Sequence, residues 1–232
     1  MTSSTPLSVH EPAGAPKGGV IVVQEAFGVN DHIEDVCGRF AAEGWLTVAP
    51  HLFHRSGDPK LAYPTQAYTN MDELLLHVSQ LTMDGVLADM DAALDHLAGA
   101  DIPPARVGVV GFCLGGSVTL ITTASRDIGA GVTFYGGGLK EGRFDFPPLL
   151  EMATQLRAPW LGLFGDLDTG IPVADVEELR TAAAASGQVT EIVRYPDAGH
   201  GFNCDARESY HAASAHDAWE RTLAWFDRLV RT

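Results

Sequence analysis

Residues 106–116 read RVGVVGFCLGG, the most specific pattern in the chain. An apolar, β-branched run typical of a buried strand leads into G-x-C-x-G-G, and a helical pattern follows. In so sharp a turn, side chains at Gly111 and Gly115 would make the strand and helix backbones collide. The pattern predicts a turn that holds Cys113 at a helix N-terminus, where unpaired amides and the helix dipole favour a thiolate. The alternative is a buried structural cysteine in an ordinary strand-to-helix turn.

The same alternation of short apolar runs and longer amphipathic stretches extends along the chain. We predict strands at residues 18–25, 45–50, 106–111, 130–135, 159–165 and 189–195. We predict helices at residues 32–43, 72–97 with a break near Gly85, 114–124, 173–185 and 208–230, and a polar loop at 51–70. Nearly continuous apolar strands separated by helices indicate an α/β fold, a three-layer α/β/α sandwich with a mainly parallel sheet. We find no repeat or linker and expect a single domain over residues 1–232.

The composition restricts the class of partner. The 232 residues include 15 Lys and Arg against 30 Asp and Glu, a net charge of −15, which disfavours binding to nucleic acid or an anionic membrane surface. Three cysteines are too few for a disulfide framework and fit a reducing compartment. We see no signal-peptide pattern and no apolar run of about 18 residues. We expect a cytoplasmic monomer with a small-molecule partner and no cofactor.

Two further predicted strand ends carry residues that suit a cysteine nucleophile. GDLD at residues 165–168 offers two carboxylates, of which Asp168 lies further into the loop, while Asp166 would suit a turn. PDAGHGF at residues 196–202 holds His200 between glycines, poorly suited to core packing; the alternative is a solvated loop histidine. The order Cys113, Asp168, His200 is the nucleophile–acid–base order of α/β-hydrolases.

The first core strand ends in QEAFGVN at residues 24–30. Glu25 closes an apolar run, so we expect it to be partly buried and to need a partner, which could be the Cys113 thiol. The amides of Ala26 and Leu114 would then form an oxyanion hole. The alternative is a structural glutamate that binds loop amides.

QEAFGVN, GFCLGG, FYGGGL, FGDLD and YPDAGHGF together resemble the dienelactone hydrolase (carboxymethylenebutenolidase) family over residues 15–230. The resemblance implies an α/β-hydrolase fold and a triad of Cys113, Asp168 and His200. It also implies that Glu25 accepts the thiol proton when substrate binds, and that Tyr135 lies near the nucleophile.

By the same resemblance, Arg207 would bind a substrate carboxylate; otherwise it is a surface arginine paired with Asp205 or Glu208. The chain departs from the family where dienelactone-specific members carry a second arginine, because residues 61–81 contain no arginine or lysine. Arg55 and Lys60 lie earlier in that loop. The loop at residues 53–71 would set specificity.

The expected function is therefore hydrolysis of lactones or activated small esters by a carboxylic ester hydrolase with a Cys-His-Asp triad. The alternative is a non-catalytic binding protein of the same fold, whose cysteine need not be unusually reactive. A metal site is not expected, because Cys113 and His200 lack a close ligand pair such as H-x-x-x-H.

Overall fold

A computed structural model describes residues 5–56, 58, 60–64 and 71–230 and contains a seven-stranded sheet. The strand order is β1-β3-β2-β4-β5-β6-β7, and every neighbouring pair is parallel except β1 and β3. The strands are β1 (Leu7–His10), β2 (Gly19–Val23), β3 (Leu46–Pro50), β4 (Val107–Phe112), β5 (Ala130–Phe134), β6 (Trp160–Gly165) and β7 (Thr190–Tyr195). The predicted, mainly parallel α/β sheet is confirmed.

The helices are α1 (Asp31–Ala42), α2 (Met71–Val78), α3 (Met83–Gly99), α4 (Leu114–Ser125), α5 (Leu149–Ala153), α6 (Val173–Ala185) and α7 (Ala212–Leu229). Two glycines of β4 show that helices cover both faces of the sheet. Gly108 lies against Phe226 of α7, while Gly111 lies against Thr119 of α4. Residues an odd number apart on a strand point to opposite faces, so the sheet is the middle of three layers.

Burial follows the position of each strand in the sheet. Every residue of β2, β3, β4, β5 and β6 is buried, as expected for parallel strands covered on both faces. The edge strand β7 is only partly buried. Strand β4 lies at the middle of the sheet, so the residue that follows it emerges among the carboxyl ends of its neighbours, where α/β sheets bind their ligands.

Several predicted boundaries are wrong. The break expected near Gly85 within residues 72–97 is present but lies earlier, between Val78 and Met83, because the Thr82 side chain caps α3 by accepting a hydrogen bond from the Gly85 amide at 3.1 Å. The last helix begins at Ala212 rather than residue 208, since residues 201–211 form successive turns. Strand β1 and helix α5 were not predicted. Residues 57, 59 and 65–70 of the proposed specificity loop lie outside the described part.

Candidate active site

Cys113 lies on a strained turn between β4 and α4. Its φ of 54° lies in the left-handed region, which a residue with a side chain rarely adopts. The glycines on either side make the turn sterically feasible: a Cβ at Gly111 would be 2.0 Å from the Gly115 oxygen, and one at Gly115 would be 2.3 Å from the Val23 oxygen. The Cys113 amide donates to the Phe134 oxygen at 3.1 Å. Strain of this kind persists where the surroundings enforce it, often at functional sites.

His200 connects Cys113 to a buried carboxylate. Its Nδ1 lies 2.6 Å from Oδ2 of Asp168, whose Oδ1 accepts a hydrogen bond from the Gly170 amide at 2.9 Å. Cys113 and His200 line the same cavity. Burial lowers the pKa of His200, but its interactions with Asp168 and Cys113 outweigh burial and raise the pKa to about 10. The arrangement therefore holds an imidazolium beside the sulfur at neutral pH.

The two carboxylates after β6 have different partners. Asp168, 5% exposed, contacts His200. Asp166 instead accepts from Nε and Nη2 of Arg194, each at 2.7 Å. Asp166 lies in a turn, as the sequence suggested, and its carboxylate forms an ion pair with Arg194 of β7.

Glu25 has a partner other than the expected thiol. This carboxylate is 1% exposed and accepts from both terminal nitrogens of Arg207, one of them at 3.2 Å. The guanidinium carbon of Arg207 also lies 4.6 Å from the centre of the Phe27 ring. Asp205, considered as a partner of Arg207, binds Arg39. Arg207 thus compensates the negative charge of Glu25, because burial of an unpaired carboxylate would cost free energy.

Tyr135 packs against the imidazole of His200. It is fully buried, has a φ of 40°, and its ring centre is 5.0 Å from that of His200. Within the described part of the chain, its hydroxyl has no hydrogen-bond partner. Burial raises the pKa of Tyr135 well above its ordinary value, with smaller effects from Glu25 and Cys113, so the phenol stays neutral.

A cavity of about 330 Å³ opens onto Cys113, His200 and Arg207. Ala26 and Leu114 also line it, and their amides donate to no acceptor among the described residues. Both amides are therefore free to receive a developing oxyanion. The apolar part of the wall consists mainly of Phe27, Leu74, Leu75, Val78, Phe144 and Phe146.

The cavity also contains a residue that the sequence analysis missed, Arg143. It follows β5 in a strand-end loop where only Tyr135 was considered, so its position after a strand was an available signal. Arg55 and Lys60, the candidates in the earlier loop, do not line the cavity. Arg55 binds the buried Asp89 through two hydrogen bonds of 2.7 and 2.9 Å. Lys60 is exposed.

The described residues hold no group of three or more His, Cys, Asp or Glu side chains arranged to bind a metal ion. None of their helices is long and apolar enough to cross a membrane.

Comparison with known proteins gives a consistent result. The model of the dienelactone hydrolase family matches residues 7–230. A "Putative carboxymethylenebutenolidase" of Escherichia coli (strain K12) is 43% identical over 216 residues, covering 89% of this chain and 75% of the relative. A protein of the same name from Methylorubrum extorquens is 39% identical over 217 residues, covering 92% of this chain and 72% of the relative.

A solved structure extends the similarity to the fold. The crystal structure of a "Putative Dienelactone Hydrolase" from Klebsiella pneumoniae subsp. pneumoniae MGH 78578 superimposes with a TM-score of 0.87 at 39% identity. The match covers 97% of this chain and 93% of that chain. The sequence similarity therefore extends to the whole sheet and its helices.

Proposed function

Because the chain belongs to the dienelactone hydrolase family and is a carboxylic ester hydrolase, we propose that it cleaves small activated esters or lactones with Cys113 as nucleophile. His200 is the proton-transfer residue and Asp168 orients it. The amides of Ala26 and Leu114 form the oxyanion hole. No feature of the described site favours the alternative of a non-catalytic binding protein.

One observation carries the proposal: Cys113, on a strained turn at a helix N-terminus, lines the same cavity as an imidazole whose Nδ1 lies 2.6 Å from a buried carboxylate. An imidazole next to a cysteine activates the sulfur as a nucleophile. A structural cysteine would have no need of the imidazole or of the carboxylate behind it.

The proposed reaction has two acyl-transfer steps. The Cys113 sulfur attacks the ester carbonyl, a C–S bond forms, and the carbonyl electron pair moves to the oxygen held by the two amides. Collapse breaks the C–O bond, and the leaving oxygen takes the proton of the His200 imidazolium. The neutral imidazole then removes a proton from water, which attacks the thioester and expels the thiolate. The second step also regenerates the imidazolium.

The leaving groups determine the substrate class. Thiolate leaves more readily than an amine, so an amide adduct returns to starting material, while an aryl or enol ester proceeds. A cavity of about 330 Å³ limits the substrate to a small molecule. We therefore propose enol lactones and activated esters, and not peptides. By its resemblance to the family glutamate, Glu25 accepts the proton of the resting thiol when substrate binds, and it returns this proton to the thiolate after the acid product leaves.

The test removes the sulfur alone. We expect Cys113→Ala to lower turnover of 4-nitrophenyl acetate by at least about 1000-fold, since the covalent step is lost. Circular dichroism would check that the variant is folded. Cys37→Ala is the matched control, because Cys37 is fully buried in α1. Activity retained in Cys113→Ala would contradict the proposal, as would equal alkylation of Cys113 and Cys37 by iodoacetamide.

A further inference from the structure

Arg143 is held on a tight turn at the wall of the cavity. A Cβ at Gly142 would be 2.3 Å from the Phe146 oxygen, and Phe144 has a φ of 58°. The Phe146 amide donates to the Arg143 oxygen at 2.9 Å, which closes the turn. Asp145 anchors it by accepting from the amide of Met83, the first residue of α3, at 3.1 Å. The guanidinium is thus presented by a constrained backbone.

Two glycines provide the surface on which the Arg143 side chain lies. A Cβ at Gly138 would be 2.9 Å from Cγ of Arg143, and one at Gly137 would be 3.1 Å from its Nη1. The Gly137 oxygen accepts from the Ser117 hydroxyl, one turn of α4 beyond the nucleophile, at 2.8 Å. Because Gly137 and Ser117 both line the cavity, the exposed side chain of Arg143 lies on the wall of the cavity that holds Cys113.

The charge of Arg143 is not compensated. Among the described residues, no carboxylate or other acceptor binds its guanidinium, whose carbon lies 5.5 Å from the centre of the Phe144 ring. Arg207, the other arginine of this cavity, has its charge matched by the buried Glu25. The chain has a net charge of −15 and repels anions overall. An unpaired guanidinium on the cavity wall attracts an anion locally.

We propose that Arg143 is a specificity-determining residue that binds an anionic group, of the carboxylate class, on the acyl part of the substrate. The hydrolysis of this substrate rests on the proposed function, whereas the binding of a carboxylate by Arg143 does not. A guanidinium forms paired hydrogen bonds with a carboxylate. A monoanionic ester of a short dicarboxylic acid would reach Arg143 with its free carboxylate while its ester carbonyl lies at Cys113.

The test compares two 4-nitrophenyl esters of glutaric acid. One keeps the second carboxylate free and is charged, and in the other that carboxylate is a methyl ester and is neutral. We expect Arg143→Gln to lower the ratio of their kcat/KM values, charged over neutral, by about tenfold, mainly through KM. Arg157→Gln removes the same charge from an exposed arginine that binds Asp127 outside the cavity, and it should leave the ratio unchanged. An unchanged ratio in Arg143→Gln would overturn the proposal.

A binding measurement separates this inference from the proposed function. Free glutarate should protect Cys113 of the wild type from iodoacetamide and should protect the Arg143→Gln variant about tenfold less. If glutarate protects Cys113 only when Arg143 is present, and neither ester is hydrolysed, the binding role is supported and the hydrolase proposal fails. Hydrolysis with no effect of Arg143 on ratio or protection overturns the inference alone. Gly137→Ala, which pushes on Nη1, should reproduce part of the loss of selectivity.

Discussion

The segments that carry Cys113, Asp168 and His200 are built differently from α2 and residues 137–146, which line the rest of the cavity. In the first group, backbone approaches such as the Gly115–Val23 contact fix each residue at a strand end. In the second group, partly exposed side chains such as Leu75, 48% exposed, form the wall. The difference indicates that backbone contacts hold the chemistry, whereas replaceable side chains set which substrate fits.

The largest expected effect is on stability at the catalytic turn. Gly115→Ala would bring a Cβ to 2.3 Å from the Val23 oxygen and 2.6 Å from the Gln24 oxygen, and neither backbone atom can move freely in the core. We expect the free energy of unfolding to fall by about 3 kcal/mol or more, measured by chemical denaturation.

The matched control for this change is Gly99→Ala at the end of α3, where a Cβ would meet nothing within 4 Å. This substitution should be neutral or stabilise by about 0.5 kcal/mol. Equal effects of the two substitutions would mean that the turn is not held by backbone contacts.

A smaller effect, on activity alone, separates the two carboxylates after β6. Asp168→Asn should lower kcat by about 100-fold, because the imidazole loses the group that orients it. Asp166→Asn breaks the pair with Arg194 and should change kcat by about twofold or less. Comparable losses in both variants would contradict the role of Asp168.

The same variants give a pH test with a definite sign. The pKa of His200 is raised from 6.5 to about 10, so its charged form stabilises the fold fully below pH 6.5, and this contribution is lost as the pH rises through about 10. Removing the Asp168 carboxylate should move the midpoint downward. An NMR titration of the imidazole checks this, with Asp166→Asn leaving the midpoint in place.

The smallest expected effect lies in α2. Leu75→Ala removes apolar surface from the cavity and should raise KM for neutral esters with longer acyl chains by about threefold, without changing the melting temperature. The neighbouring Leu76, 62% exposed, does not line the cavity, and Leu76→Ala should leave KM unchanged. Steady-state kinetics on both variants measure the difference, and identical KM values would remove α2 from the substrate wall.

Much of the fold could be predicted because its signals are local. Continuous apolar runs marked the buried strands, and the glycines around Cys113 marked a turn whose sterics involve only neighbouring residues. Boundaries were less predictable: the sequence indicated a break near Gly85, but the Thr82 cap places the start of α3 at Met83. The antiparallel strand β1 has only four residues and depends on its pairing with β3.

The sequence by itself determined the parallel sheet, the turn at Cys113 and the order of the three strand-end residues, because each depends on short-range sterics and periodicity. Tertiary structure decided the partners. Glu25 binds Arg207, 182 positions away, and the charge of Arg143 is left unmatched beside the nucleophile. Ion pairs and cavity walls depend on how distant loops approach one another, and no local pattern encodes those distances.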